Sequence, residues 1–221
     1  MIELQHFLTS AMSELTWNVR GVVHSDNTIS QLPPESRVVS EILQSIVVQS
    51  LLPAIQSNET LQMTINSQFG RSYPDITLHW KNQMFAVDIK SARFNTKSAD
   101  TVSRMTLGTY DGYFLHPNEK KLQHKKYCYN DYAQHWIIAI VYGWYPNKPT
   151  SDMVKIVSVC VGQKWQFAGK VAGSGDTANI GGITSLKRLQ TLDSVFKNNT
   201  EFESYWREYA KKHPRKRTRT F

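Results

Sequence analysis

The residues with the clearest chemical potential are two aspartates and a lysine within the segment 72–92, SYPDITLHWKNQMFAVDIKSA. Asp75 is separated by twelve residues from Asp88, which is followed by Ile89 and Lys90. Magnesium prefers hard oxygen ligands, usually one or two carboxylates with water and substrate phosphate oxygens. Asp75, Asp88 and the Ile89 carbonyl could supply them, and Lys90 could stabilise negative charge or help to deprotonate a water. Together these groups suit Mg2+-dependent phosphodiester hydrolysis.

The pattern around these residues predicts a β-hairpin that would bring them together. Apolar and polar residues alternate from 75 to 80. After three polar residues, a second period-two segment follows, in which Phe85, Val87 and Ile89 alternate with Met84, Ala86, Asp88 and Lys90. This arrangement is typical of two strands joined by a turn. Successive side chains of a strand point to opposite faces, so Asp88 and Lys90 should share one face and Ile89 should lie on the other.

The rest of the chain predicts a mixed α/β fold. Spacings of three and four residues indicate helices, and short apolar runs indicate buried strands, with a short helix as the alternative for the run at 135–145. The expected elements are a helix at 1–20, an extended segment at 21–32, a helix opened by Pro33-Pro34 that Pro53 ends or bends, strands at 135–145, 153–161 and 164–171, a glycine-rich loop at 172–182, and a helix at 202–212.

Positive charge is concentrated near the end of the chain. The formal net charge is +8, and removing the six lysines and arginines of 211–219 leaves +2. A second basic cluster, EKKLQHKK, occupies 119–126. Concentrated charge of this kind favours a polyanion such as nucleic acid, because bound phosphates release counterions. The alternative is a solvated tail and a basic surface loop.

Other features argue against membrane, disulfide and zinc proteins. There is no run of 18 apolar residues, and the N-terminus reads as an amphipathic helix, so we expect no membrane span and a cytoplasmic protein. Cys128 and Cys160 lack metal-ligand spacing, and no zinc site is readable among the scattered histidines. His135 and Trp136 precede an apolar run, which favours a core or strand-end role.

The spacing of the two aspartates and the lysine matches the PD-(D/E)xK pattern of a nuclease superfamily, although that pattern is common by chance. Longer segments make the likeness specific, since they resemble type II restriction endonucleases of the EcoRV family in order and separation. These segments are YPDITL at 73–78, AVDIK at 86–90, TLGTY at 106–110, HWIIAIVY at 135–142, KWQFAG at 164–169, AGSGDTANIG at 172–181 and EFESYWREY at 201–209.

The resemblance implies a restriction-endonuclease-like α/β core with a mixed β-sheet flanked by helices. It implies a homodimer that holds double-stranded DNA in a U-shaped cleft and cuts a short palindrome with Mg2+, leaving blunt ends with 5'-phosphates. Asp75, Asp88 and Lys90 would be catalytic. A DNA methyltransferase would belong to the same restriction-modification system. A single domain, 1–221, would comprise a dimerisation part at 1–35, a core at 36–209 and a basic tail at 210–221.

The chain departs from the family near the metal site. In that family, a Glu on the helix before the catalytic hairpin assists the metal site. Alignment of this chain places Gln44 at that position. Glu41 lies one turn earlier on roughly the same helix face, so we expect it to be an auxiliary metal ligand. The alternative is an exposed helix carboxylate.

By the same resemblance, 172–182 is the loop that enters the major groove. The residues expected to read bases are Gly173, Ser174, Gly175, Asp176, Thr177, Ala178 and Asn179. The relative has Asn where this chain has Asp176. Because a carboxylate accepts but does not donate hydrogen bonds, we expect a different base there, with cytosine favoured over adenine. A flexible hairpin tip is the alternative reading of the loop.

Further residues are expected to contact the DNA backbone or the minor groove. Arg71 suits a minor groove, although a surface turn is nearly as good an interpretation. Such contacts position a protein and carry little sequence information. The full set is Gln68, Arg71, Ser91, Thr106, Thr109, Lys120, Lys121, Arg215 and Arg217.

Two rival functions share the same residues. A structure-specific repair nuclease would use the same catalytic set, but the match in the glycine-rich loop argues against it. A non-catalytic DNA-binding protein would gain nothing from carboxylates aimed at phosphate.

Overall fold

A computed structural model describes residues 2–58, 62–67, 73–119, 127–173 and 178–213. The helices are α1 (Ile2–Ala11), α2 (Ser36–Gln56), α3 (Tyr110–Phe114), α4 (Lys164–Phe167), α5 (Leu186–Thr191) and α6 (Asn199–Lys212). The strands are β1 (Val22–Val23), β2 (Ile29–Ser30), β3 (Thr64–Ser67), β4 (Ile76–Trp80), β5 (Gln83–Arg93), β6 (Thr106–Thr109), β7 (Gln134–Trp144), β8 (Val154–Gln163), β9 (Ala168–Ala172) and β10 (Asn179–Gly182).

A five-stranded mixed sheet holds the fold together, with the strand order β3-β4-β5-β7-β8. Its neighbouring strands are antiparallel except for β5 and β7, which are parallel. β7 is buried along nearly its whole length, because both sheet faces are covered there. This explains why its sequence is continuously apolar. A second sheet has the order β6-β10-β9, and β1 pairs with β2 in a small ribbon.

The predicted hairpin is confirmed, with a shorter turn than expected. Trp80 pairs directly with Gln83, so only Lys81 and Asn82 connect β4 to β5. Both connecting residues have positive φ, 49° and 58°. Positive φ at both central positions is the geometry of a type I′ turn, whose twist matches that of the strands it joins. Gln83 therefore begins β5 and does not belong to the connection.

One face of the sheet is covered by α1 and α2. The α2 residues that turn inward recur mainly at intervals of four, as expected for one helix face, and are Val39, Leu43, Val47, Val48, Leu51 and Ile55. They form a single core cluster with Leu4 and Leu8 of α1 and with Ile89 of β5. Burying one such side chain fully contributes about 1.5–3 kcal/mol.

The opposite face carries α3, α6 and the second sheet. Its core cluster includes Tyr113 of α3, Trp206 of α6 and Ile180 of β10. Ala86 and Ala92 of β5 belong to this cluster, whereas Ile89 belongs to the other. The alternation read from the sequence is therefore confirmed, and Asp88 and Lys90 lie on the α3 side of the sheet.

By length and composition alone, α2 could cross a membrane. It instead places its apolar face against α1 and the sheet, where Val39, Leu43 and Val47 are fully buried. That is the placement of a core helix, and the outward-facing Arg37 and Glu41 pair with each other.

Four sequence-based boundaries are corrected. The first helix ends at Ala11, after which Trp17 donates to the Thr150 carbonyl at 2.7 Å. Pro53 does not end α2, which continues to Gln56, so of the two alternatives only a bend at Pro53 is left. Residues 164–171 are not one strand, since 164–167 form the short helix α4. The Gln163 N–H donates to Gln166 at 2.8 Å, a local contact that favours a helical turn.

The fourth correction concerns the glycine-rich segment, whose end forms β10. This strand pairs with β9 on one side and with β6 on the other. A Cβ atom at Gly181 would lie 2.2 Å from the Val171 carbonyl oxygen. The absence of a side chain is therefore what allows the two backbones to approach.

Candidate active site

Asp75 lies immediately before β4 and is almost fully buried. Its Oδ2 accepts a hydrogen bond from the Ile89 N–H at 2.7 Å. The hairpin register pairs Ile76 with Val87, which brings Asp75 beside Asp88 on the neighbouring strand. Two residues separated by twelve in sequence thus become neighbours because of one tight turn.

Asp88 and Lys90 complete the cluster from β5. The Lys90 Nζ lies 3.2 Å from Asp88 Oδ2 and 3.8 Å from Asp75 Oδ2. The Lys90 side chain is 22% exposed, whereas the Asp88 side chain is 4% exposed. Lys90 is therefore the member of the set that can reach a molecule arriving from solvent.

Burial and charge shift the pKa values of Asp75 and Lys90. Burial raises the pKa of Asp75 to about 6, although Lys90 opposes the shift. Burial alone would lower the pKa of Lys90, but the Asp88 and Asp75 carboxylates outweigh it and raise that pKa above its ordinary value. The two carboxylates therefore share the positive charge of Lys90 in a largely buried site.

The donor set fits magnesium better than zinc. Asp75 and Asp88 offer carboxylate oxygens, and within the described residues no group of three or more His, Cys, Asp or Glu side chains could enclose a metal. A structural zinc site needs four protein ligands, usually with sulfur or nitrogen donors. Magnesium needs only one or two carboxylates, because water and substrate phosphates complete its coordination.

Glu41 is not brought into the cluster. Its side chain is 65% exposed and pairs with Arg37 at 3.1 Å, one helical turn away. The α2 residue that touches β5 beside the site is Ser40, whose hydroxyl lies 2.7 Å from that of Ser91. The geometry gives no support to Glu41 as a metal ligand, so the proposed ligands are the two aspartates and the Ile89 carbonyl.

Sequence reasoning missed a fourth charged residue, Lys164. It is the first residue of α4, it is 1% exposed, and its Nζ lies 3.6 Å from Asp88 Oδ2. The contact joins residues far apart in the chain, so no local pattern announces it. The only local signal is a lysine placed directly after a buried strand and three residues before the fully buried Phe167.

Aromatic rings surround the Lys164 ammonium group. Its Nζ lies 4.1 Å from the ring centre of Tyr73 and 4.5 Å from that of Tyr113, and it donates to the Tyr73 hydroxyl at 2.9 Å. The same hydroxyl is hydrogen-bonded to His135 Nδ1. Burial lowers the pKa of Lys164 to about 7, although Asp88 opposes that shift. His135 is thus a buried core residue, in line with the sequence-based interpretation.

The flanks of the predicted recognition loop form a closed hairpin base. The Gly173 N–H donates to the Asn179 carbonyl at 2.8 Å, and Ala178 is buried. In the β6–β10 pair, Asn179 is opposite Thr109 and Gly181 is opposite Thr106. Thr106 and Thr109, predicted to contact the DNA backbone, therefore lie beside the base of this loop.

Ser91, also predicted to contact the DNA backbone, lies in β5 with its hydroxyl 2.7 Å from that of Ser40. The other predicted DNA-contacting residues lie outside the described part of the chain. They are Ser174, Gly175, Asp176 and Thr177 of the loop, Gln68 and Arg71 before the hairpin, Lys120 and Lys121, and Arg215 and Arg217 of the tail.

Comparisons with known proteins agree with this architecture. The family profile described as "Restriction endonuclease EcoRV" matches residues 13–221. The curated protein "Type II restriction enzyme EcoRV" of Escherichia coli is 28% identical over 212 residues, which cover 88% of this chain and 83% of that protein.

Proposed function

Because the chain belongs to the EcoRV family of type II restriction endonucleases and is thus a site-specific deoxyribonuclease, we propose that it cuts both strands of a short DNA palindrome using Mg2+. Asp75, Asp88 and Lys90 form the proposed catalytic set. The observation that carries the proposal is their convergence, since the Lys90 Nζ lies within 4 Å of both carboxylates.

The aspartates and the lysine have different roles. Asp75 and Asp88, with the Ile89 carbonyl, would hold the metal, and the Ile89 N–H fixes Asp75 in place. Mg2+, when bound there, supplies Lewis acidity toward a phosphate oxygen and toward water. Lys90 keeps its proton at neutral pH because its carboxylate neighbours raise its pKa. That favours Lys90 as a stabiliser of charge on the phosphate in the transition state over Lys90 as a base.

The proposed substrate is double-stranded DNA bound by a homodimer in a U-shaped cleft. A two-fold protein reads a two-fold site, so one active site serves each strand of a palindrome. Blunt cleavage with 5'-phosphate ends, cytoplasmic location and a companion methyltransferase follow from family membership as parts of the proposal. The family also argues against the rival readings, a repair nuclease and a non-catalytic DNA-binding protein.

We assign base recognition to residues 173–179. Within this segment, Asp176 is the residue that we expect to recognise a different base from the one recognised by the E. coli enzyme. A carboxylate accepts a hydrogen bond from cytosine N4, whereas it leaves adenine N7 without a donor. We therefore expect a recognition sequence that differs from that of EcoRV. Sequencing the ends of plasmid fragments tests this, and a site identical to that of EcoRV would remove the Asp176 hypothesis.

Plasmid cleavage tests the catalytic assignment. The wild-type chain with MgCl2 should give discrete fragments, and Asp88→Asn should cut about a hundredfold to a thousandfold more slowly, because the site loses a charged ligand. Asp152→Asn, which neutralises an exposed aspartate in a turn before β8, is the matched control and should cut at the wild-type rate. Equal rates for the Asp88 variant and the control would contradict the assignment.

A further inference from the structure

Lys164 is a charged residue that the catalytic scheme above does not use. Among the described residues, Lys164 is the only lysine that is buried, and Asp75 and Asp88 are the buried carboxylates. Removing an ammonium group from water is costly unless it is paired and hydrogen-bonded. The burial of Lys164, which is 1% exposed, is explained by the groups that it contacts.

The partners of Lys164 lead directly to the catalytic centre. Its Nζ contacts Asp88 Oδ2 at 3.6 Å, the same oxygen that the Lys90 Nζ contacts at 3.2 Å. Lys90 comes from β5 and Lys164 from α4, so the two cations hold one carboxylate from different elements. A carboxylate held in this way loses the freedom to rotate about its side-chain bonds.

The ammonium group of Lys164 is itself fixed in position. It donates to the Tyr73 hydroxyl at 2.9 Å and lies 4.1, 4.5 and 5.9 Å from the ring centres of Tyr73, Tyr113 and Tyr129. Distances below about 6 Å are those of cation–π contacts. His135 binds the same Tyr73 hydroxyl and stacks on Tyr129 at 3.8 Å. The rings of Tyr73, Tyr113 and Tyr129 thus restrain the Lys164 ammonium group, and the ammonium group in turn restrains Asp88.

We propose that Lys164 is a positioning residue of the active site, which fixes the Asp88 carboxylate in the orientation that binds the metal. This inference rests on the proposed function, in which Asp88 is a metal ligand. At 1% exposure Lys164 does not reach the substrate, so it acts through Asp88, whereas the 22% exposed Lys90 side chain acts on the phosphate. Groups that orient a metal ligand typically contribute tenfold to a hundredfold to metal affinity or activity.

The test is Lys164→Met, which keeps the length of the side chain and removes its charge. Mn2+ binding is measured by electron paramagnetic resonance, with and without plasmid DNA, and Mg2+-dependent cleavage is measured in parallel. We expect Mn2+ affinity to fall about tenfold or more and the Mg2+ concentration for half-maximal cleavage to rise similarly.

Lys155→Met is the matched control, since Lys155 is an exposed lysine of β8. It pairs with Gly143 of β7, six residues and about 20 Å along that strand from the partner of Asp88, Ile137. It removes the same charge from the protein and should change neither measurement.

A second variant keeps the inference testable if Lys164→Met fails to fold. Tyr73→Phe retains the ring and the cation but removes the hydroxyl between Lys164 and His135, and it should weaken Mn2+ binding by a smaller factor, about threefold. If Lys164→Met folds and binds Mn2+ as tightly as the wild type, the positioning role is overturned. If only Tyr73→Phe folds, wild-type Mn2+ affinity in that variant overturns it in the same way. A wild-type chain that binds no Mn2+ in either condition would instead overturn the proposed function.

Discussion

Two buried carboxylates share one small site with two lysines, and this balance governs the chemistry of individual residues. The ionised form of Asp75 is destabilised, because burial raises the pKa of this carboxyl from 3.8 to about 6. A metal ion bound between the carboxylates would relieve this cost. The proposed metal site would therefore bind a cation from solvent favourably, at the expense of the stability of the metal-free protein.

This balance predicts that Asp75→Asn stabilises the metal-free protein. Because the folded-state pKa of Asp75 is raised, its protonated form is favoured on folding, and stability is lost as pH rises through about 6. Asn removes that loss while its oxygen can still accept from the Ile89 N–H. Thermal unfolding in EDTA should show the variant more stable by about 1–3 kcal/mol at pH 8 and by about half as much at pH 5, because the loss sets in as pH rises above the unfolded-state pKa of 3.8. A gap that does not change with pH would contradict the argument.

The convergence of the three proposed catalytic residues was predictable because it is governed by local rules. Asp75, Asp88 and Lys90 lie within one hairpin, so alternation and a short turn place them together without knowledge of the rest of the fold. Lys164 was not predictable, since its contact with Tyr73 joins residues 91 apart. Glu41 illustrates the reverse problem. The sequence placed Glu41 on roughly the correct face of α2 but did not decide which residue of that face points toward the site. In the structure that residue is Ser40, whose hydroxyl contacts Ser91.

Among the elements, α4 and β9 connect the proposed catalytic cluster to the proposed recognition hairpin. Lys164 begins α4 and contacts Asp88, and β9 follows at once and leads to Gly173 at the base of the recognition hairpin. On the other side, Thr109 caps α3, whose Tyr113 packs on the same lysine. We therefore expect a displacement of the proposed recognition hairpin to shift Asp88, the proposed catalytic aspartate, through these two short series of packed residues.

Gly181→Ala should test the close pairing on which this arrangement depends. The new Cβ would meet the Val171 carbonyl oxygen at 2.2 Å, and backbone cannot move aside cheaply. We expect cleavage to fall about a hundredfold, as for a shift of about 1 Å near an active site, with a stability loss of about 1–3 kcal/mol.

Gly169→Ala is the natural comparison for this change. Gly169 lies on the neighbouring strand β9, where a Cβ would find ordinary contacts of 3.4 Å and more. Plasmid cleavage and thermal unfolding of the two variants should separate them clearly. Similar losses in both would show that any added methyl group in this sheet is harmful, and the pairing argument would fail.

The elements were predictable where one pattern dominated. The continuous apolar run of β7 and the four-residue spacing of α2 both gave the right type of structure. The pattern failed at α4 and β10, where the outcome depends on distant partners. Lys164 turns inward toward Asp88, and β10 exists because β6 and β9 flank it on both sides.

At the scale of the molecule, the first 35 residues divide into a buried and an exposed part. Leu4, Leu8 and Met12 belong to the core, so α1 is part of the catalytic body. The β1–β2 ribbon stands apart from that core and exposes Val22, Val23 and Ile29 by 45%, 66% and 48%. Clustered exposed apolar residues mark an interaction surface. The proposed dimer contact is therefore narrowed to this ribbon.

Val23→Glu should separate the proposed dimer into monomers, because a charge would be buried at the contact. Sedimentation of the wild-type chain at micromolar concentration should show a dimer, and that of the variant a monomer with an unchanged far-UV spectrum. Val157→Glu, at a valine of β8 that is 41% exposed, provides the comparison and should remain dimeric. A dimeric Val23 variant or a monomeric wild type would refute the contact.

The parallel pairing of β5 with β7 also dictates when the enzyme can become active. β7 begins about forty residues after β5 ends, and Lys164 comes later still. Such long-range pairings form slowly, because the entropy of closing the intervening chain is lost before any contact is gained. A nascent chain on the ribosome carries Asp75, Asp88 and Lys90 long before it carries their supports. We therefore expect nuclease activity only in chains whose synthesis has passed α4 and whose five-stranded sheet has formed.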